Sequence, residues 1–154
     1  MKYLYLITTS IILAYLAIII FIYFYQRNLL YNPSENNYLN DKINFKYQEI
    51  FIETDEDIKL KSWFIKKDLK KFKTVVFFHG NTGNLLNRVH ILNELNKPNI
   101  NVLLFTWRVF SGHKGKPSVL NSYLNTQHVD KCLKINGLNN NDISLYGYSV
   151  GIGA

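Results

Sequence analysis

Ser149 lies in Gly147-Tyr148-Ser149-Val150-Gly151, a G-x-S-x-G pentapeptide that follows the apolar stretch Ile143 to Tyr146. A serine hydroxyl attacks an acyl carbon only when it is exposed and relieved of its proton, and a sharp turn from strand to helix provides the exposure. Such a turn strains the serine and requires glycine at 147 and 151, where a side chain would meet neighbouring backbone. The plain alternative is a Gly/Ser turn without chemistry, because two of the five positions are free and chance matches occur. A second cluster, His79-Gly80-Asn81-Thr82-Gly83, directly follows another apolar run, Thr74 to Phe78. Gly80 and Gly83 let backbone N–H groups turn inward, so the N–H of Asn81, with that of Val150, is expected to stabilise an oxyanion. His79 is read as an imidazole that supports this loop in preference to a catalytic base.

The elements that must position these residues follow from the apolar pattern. Thr74 to Phe78 and Asn101 to Phe105 are short continuous apolar runs, as expected of strands covered on both faces, and Ile143 to Tyr146 is a shorter third. Leu85, Val89, Leu92 and Leu95 repeat at helical spacing and stop at Lys97-Pro98; Leu120, Leu124, Val129, Cys132 and Leu133 mark a second helix ending near Asn136-Gly137. Upstream, Phe45 to Ile52 and Ile58 to Ile65 flank an acidic turn and read as an antiparallel hairpin with one wet face. Strands alternating with helices at this spacing imply right-handed crossovers and a parallel sheet led in by the hairpin, an α/β fold.

The chain has 154 residues, and Tyr3 to Tyr25 is apolar apart from Thr8, Thr9 and Ser10. As a helix this stretch would extend about 34 Å, enough to cross a hydrocarbon core of about 30 Å. Tyrosines near both ends and the flanking Lys2 and Arg27 fit a single-pass membrane anchor in contact with lipid, with orientation undetermined. The competing reading is a cleaved signal peptide, but the apolar run continues well past Ala14 and Ala17, and no A-x-A pattern follows. The expected organisation is an anchor over 1–27, a juxtamembrane linker over 28–44 and a domain over 45–154. The net charge of +7 does not indicate nucleic acid, because the lysines are scattered and only Lys66 to Lys73 is dense. That cluster reads as a solvated loop first and a lipid-headgroup contact second. Cys132 is the sole cysteine, which excludes an internal disulfide and a cysteine-based zinc site. No metal or other cofactor is expected.

On these motifs the sequence resembles the α/β-hydrolase superfamily, in particular its Bem46-like, membrane-anchored group, which includes the ABHD13-type proteins. The matching stretches are Tyr25 to Ser34, Phe77 to Asn84, Gly115 to Ser118 and Leu145 to Gly151. The resemblance implies a serine hydrolase acting on an ester or related acyl bond of a small-molecule substrate, with Ser149 as nucleophile. Where the family usually has D-Y-R-G-Y-G-x-S, this chain has Thr106 to His113, with Val109 and Ser111 at two habitual glycine positions. Side chains there are expected to force a different loop path. In the family the acid and the histidine follow the serine, whereas here the four histidines (79, 90, 113 and 128) all precede it. His90 and His128 are expected on exposed helix faces. The chain therefore reads as a truncated α/β-hydrolase domain ending at the nucleophile elbow, inactive alone, with its last strand an exposed edge. The alternative function is a non-catalytic, membrane-anchored remnant that binds a partner.

Overall fold

A helix, α1, runs from Lys2 to Leu30, because the first thirty residues contain no proline or glycine and are rich in leucine and isoleucine. The computed structural model describes residues 1–34, 43–55, 57–112 and 117–153. Residues 35–42 of the expected linker, with His113 and the Gly115-Lys116 pair, lie outside the described residues. The chain divides into two compact units, Met1–Tyr31 and Asn32–Ala154. In the first, α1 buries none of its residues. It is long and apolar enough to cross a membrane, a property that a signal sequence shares. The helix continues three residues beyond the expected end at 27, and Asn32–Pro33, expected in the linker, forms a short strand, β1.

The second unit is built on a five-stranded mixed sheet. Its strands are β2 (Gln48–Glu53), β3 (Lys59–Ile65), β4 (Thr74–Phe78), β6 (Asn101–Phe105) and β7 (Ile143–Gly147), in the spatial order β2-β3-β6-β4-β7. β2 and β3 form the antiparallel hairpin, β3 joins β6 antiparallel, and β6, β4 and β7 run parallel. The hairpin starts at Gln48, later than expected, and Phe45 packs into the core from outside it. A two-stranded parallel pairing joins β1 to β5 (Thr82–Gly83), with Asn32 opposite Thr82 and Pro33 opposite Gly83.

The alternation of β4 and β6 divides the core between two faces. Phe77, Val102 and Leu104 pack with Leu85, Val89 and Leu92 under α2 (Val89–Leu95). Val76 and Phe78 face Val129 and Leu133 of α3 (Val119–Ile135) across an apolar cleft of about 240 Å³. Helix α3 begins where Ser118 Oγ accepts from the Asn121 N–H at 3.1 Å. It ends with Gly137 at φ 82°, where the N–H of Leu138 bonds Leu133 O at 3.2 Å in a Schellman closure.

β6 is buried at every position, as its apolar run implies, and β4 at all but one. β7 is not: Leu145 is 66% and Tyr146 41% exposed, although adjacent strand residues face opposite sides. Both faces of β7 are therefore open, and its outer side has no strand partner among the described residues. In the Lys66 to Lys73 loop, Lys67 Nζ donates to the carbonyls of Asn96 and Pro98, and Lys73 Nζ to that of Asn141. Those two ammonium groups cap ends of neighbouring segments, while Lys66, Lys70 and Lys71 are solvated.

Candidate active site

The site forms where β4 and β7 end side by side. Ser149 lies two residues past the end of β7 and opens a 3₁₀ turn over Ser149–Gly153, in place of the regular helix expected after the serine. Its φ is 56°, a left-handed conformation that costs an L-residue roughly 1–2 kcal/mol. The flanking glycines make that turn possible. A Cβ on Gly147 would lie 2.6 Å from Gly151 O and 2.7 Å from Ile152 Cα, and one on Gly151 would collide with the Phe78 carbonyl. Tyr148 N donates to Phe78 O at 3.0 Å and Gly151 N to Tyr148 O at 3.0 Å, which ties the turn to the end of β4. Ser149 is exposed.

The loop after β4 lies against this turn. A Cβ on Gly80 would be 3.2 Å from Ser149 Cβ. Asn81 and Val150 thus stand on two chain segments that converge on the serine, and Val150 is in the first turn of a helical segment, where N–H groups lack intrahelical partners. Gly83 has φ 78°, and beyond it Asn84 and Asn87 cap one another: Asn84 N donates to Asn87 Oδ1 at 2.8 Å, Asn87 N to Asn84 Oδ1 at 3.2 Å.

His79 is fully buried. Its Nδ1 lies 2.7 Å from Gly80 O, and a carbonyl only accepts, so the proton sits on Nδ1. Nε2 then faces the Trp107 N–H in a long 3.5 Å contact, and Trp107 Nε1 donates to His79 O at 2.8 Å. Burial pushes the imidazole pKa down to about 3; the Gly80 bond opposes that shift and the nearby Arg88 charge adds to it. His79 is neutral at pH 7.

The remaining described histidines lie elsewhere. His90 is exposed on α2. His128 does not occupy an exposed face: its side chain is only 12% exposed, with Nε2 3.6 Å from Asp55 Oδ2, because the β2–β3 turn folds over that part of α3. No described residue hydrogen-bonds the Ser149 hydroxyl.

The loop after β6 also departs from the expectation. Val109 (φ 65°) and Ser111 (φ 58°) adopt the left-handed conformations that glycine favours, so the side chains are accommodated under strain. The Arg108 Nε–Asn125 Oδ1 bond at 3.1 Å, and the one from Leu85 N to Ser111 Oγ at 3.3 Å, hold that loop to both neighbouring helical regions.

Two residues at the site escaped the sequence reading. Arg88 is 8% exposed, with Nη2 donating to Thr82 O and Nε buried without a partner among the described residues. Its signal was present, because position 88 falls on the same helical stripe as Leu85 and Leu92. Trp107 gave none, since its bond to His79 O joins loops distant in sequence.

No protein-family model matches the sequence. The chain is 28% identical over 79 residues to the alpha/beta hydrolase domain-containing protein WAV2 of Arabidopsis thaliana, a stretch covering 50% of this chain and 26% of that protein. It is 26% identical over 129 residues to YfhR of Escherichia coli K12, covering 80% of this chain and 45% of YfhR. Among solved structures, the Pyrococcus furiosus esterase Pf2001 superposes with a TM-score of 0.61 at 27% identity, covering 79% of this chain and 48% of that one. An α/β-hydrolase from Vibrio vulnificus superposes with a TM-score of 0.59 at 22% identity, over 70% and 37%, a likeness of fold alone. The matched region spans half or less of each of these relatives. The fold is α/β-hydrolase-like; the relative WAV2 carries an alpha/beta hydrolase domain, and the structural neighbours include an esterase and an α/β-hydrolase.

Proposed function

We propose that the chain is the nucleophile-bearing part of a membrane-anchored serine hydrolase of the Bem46-like group, cleaving an ester or related acyl bond. The observation that carries this reading is the left-handed Ser149 at φ 56°, on a turn whose glycines leave no room for a Cβ. In the proposed step Ser149 Oγ adds to the acyl carbon, and the carbonyl oxygen becomes an oxyanion that accepts from the N–H groups of Asn81 and Val150. Collapse expels the leaving alcohol, and water then releases the acid from the acyl-serine. Gly80, Gly83, Gly147 and Gly151 give the two loops the approach this requires, and His79 supports the first of them.

The serine proton needs an acceptor. His79 does not serve, because it is fully buried with Nδ1 on Gly80 O and Nε2 on the Trp107 N–H, so neither nitrogen faces Ser149. We therefore assign the base and its orienting acid to the part of the full-length relatives that this chain does not cover, and infer that the 154 residues alone are inactive. Residues 3–25 hold the protein in lipid.

Labelling with a fluorophosphonate probe tests this. The chain alone should neither label appreciably nor hydrolyse p-nitrophenyl esters above background, whereas a fusion to the remaining part of a relative should do both and lose both on Ser149→Ala. Ser149-dependent labelling of the chain alone would overturn the inactive reading, and an active fusion indifferent to Ser149→Ala would overturn the nucleophile. The open faces of β7 favour a second reading, a membrane-bound protein that captures a partner at that edge without chemistry.

A further inference from the structure

We propose that Asn32 and Ser34, in the segment that follows α1, are positioning residues: their backbone N–H groups hold the loop that presents Asn81 to the oxyanion. The proposal rests on the roles given to Ser149 and Asn81 above.

All five consecutive carbonyls from His79 to Gly83 are engaged. Trp107 Nε1 donates to His79 O at 2.8 Å, His79 Nδ1 to Gly80 O at 2.7 Å and Arg88 Nη2 to Thr82 O. The other two are taken from outside the core: Asn32 N donates to Asn81 O at 2.9 Å, and Ser34 N to Gly83 O at 3.1 Å. A loop with two glycines has many backbone conformations available, and fixing it costs conformational entropy. An oxyanion donor is effective only when it is already oriented before charge develops. Asn81 carries both functions, because its N–H is the proposed donor and its own carbonyl is held by Asn32.

The ladder also accounts for a proline in this strand. N–H groups alternate in direction along a strand, so with those of 32 and 34 turned to β5, residue 33 points its N position away and Pro33 forfeits no bond. The donors are main-chain groups, so side chains at 32 and 34 are free to vary while proline is excluded.

The test uses the full chain in detergent micelles, with hydrogen–deuterium exchange read over residues 79–84 and over β4 and β6. Asn32→Pro and Ser34→Pro should speed exchange of the 79–84 segment at least tenfold and leave β4 and β6 as in the wild type. Asn32→Ala and Ser34→Ala keep the N–H and should behave as wild type. Tyr31 has φ −106° and ψ 123°, the extended conformation that a following proline requires, so Asn32→Pro is accommodated from that side. Wild-type exchange in both proline variants, or alanine variants as loose as the proline ones, would overturn the assignment. Should the proline variants fail to fold, the wild-type chain decides: the amides of Asn32 and Ser34 should exchange at least tenfold more slowly than in an unstructured peptide, and unprotected amides refute the ladder. Exchange is independent of Ser149 chemistry, so this assignment and the serine-hydrolase reading fail by different results.

Discussion

Ser149 and Val109 hold a left-handed backbone without being glycine, and the two have different consequences. At Ser149 the strain accompanies exposure of a hydroxyl. Ser149→Gly should therefore stabilise the fold by about 1 kcal/mol while removing the nucleophile, and Ser149→Ala should remove it without that gain. Val109 is β-branched, the residue class least suited to φ 65°, so Val109→Gly should add about 1–2 kcal/mol despite the extra chain entropy of glycine. Urea unfolding of the three variants measures both effects. His79 predicts a pH dependence. The folded imidazole titrates at about 3 and the unfolded one near 6.5, so below pH 6.5 the unfolded chain binds a proton that the folded chain refuses. Stability is full above pH 6.5 and falls as pH drops toward 3, by up to about 5 kcal/mol. Midpoints at pH 7 and pH 4 should show this loss, and His79→Gln should flatten it. The sharp turn at Ser149, flanked by glycines, was legible in the sequence because such a turn restricts residue types at fixed offsets. The state of His79 was not, because it depends on Trp107 and Gly80 O meeting it in space.

Among the elements, α1 is 29 residues long with no buried side chain, so its apolar surface needs a cover that the rest of this unit does not supply. The proposed cover is lipid. The protein should resist carbonate extraction, and Ile12→Arg with Ile19→Arg should release it, at about 2.5–3.5 kcal/mol per charge at the bilayer centre. Extraction of the wild type by carbonate would remove the anchor reading. The strands β4 and β6 were legible because burial on both faces demands continuous apolar runs, and α3 because its apolar residues recur at helical spacing and stop at Asn136-Gly137. β1 could not be read: a two-residue pairing made through main-chain groups at Asn32 and Ser34 leaves no side-chain pattern. β7 resembles β4 in composition, yet coverage depends on neighbours, and the sequence of a strand does not reveal whether they are present.

At the scale of the molecule, an open β7 with Leu145 and Ile152 exposed at 66% and 75% is a template for association. The detergent-solubilised chain should elute with a self-associated fraction, and Leu145→Lys should lower that fraction while changing stability by no more than about 0.5 kcal/mol. Size-exclusion chromatography with light scattering reads this, and a wild type already monomeric would contradict it. The strand order has a further consequence, for the growing polypeptide. β6 is the strand that joins the hairpin to β4, antiparallel to β3 on one side and parallel to β4 on the other. Synthesis at about 5–20 residues per second places roughly one to five seconds between completion of Phe78 and arrival of Asn101. Throughout that interval the Val75 to Phe78 run has no strand beside it, and β3 waits with its inner edge bare. Translation speed between codons 79 and 101 therefore governs how long the ribosome-bound chain is exposed to aggregation.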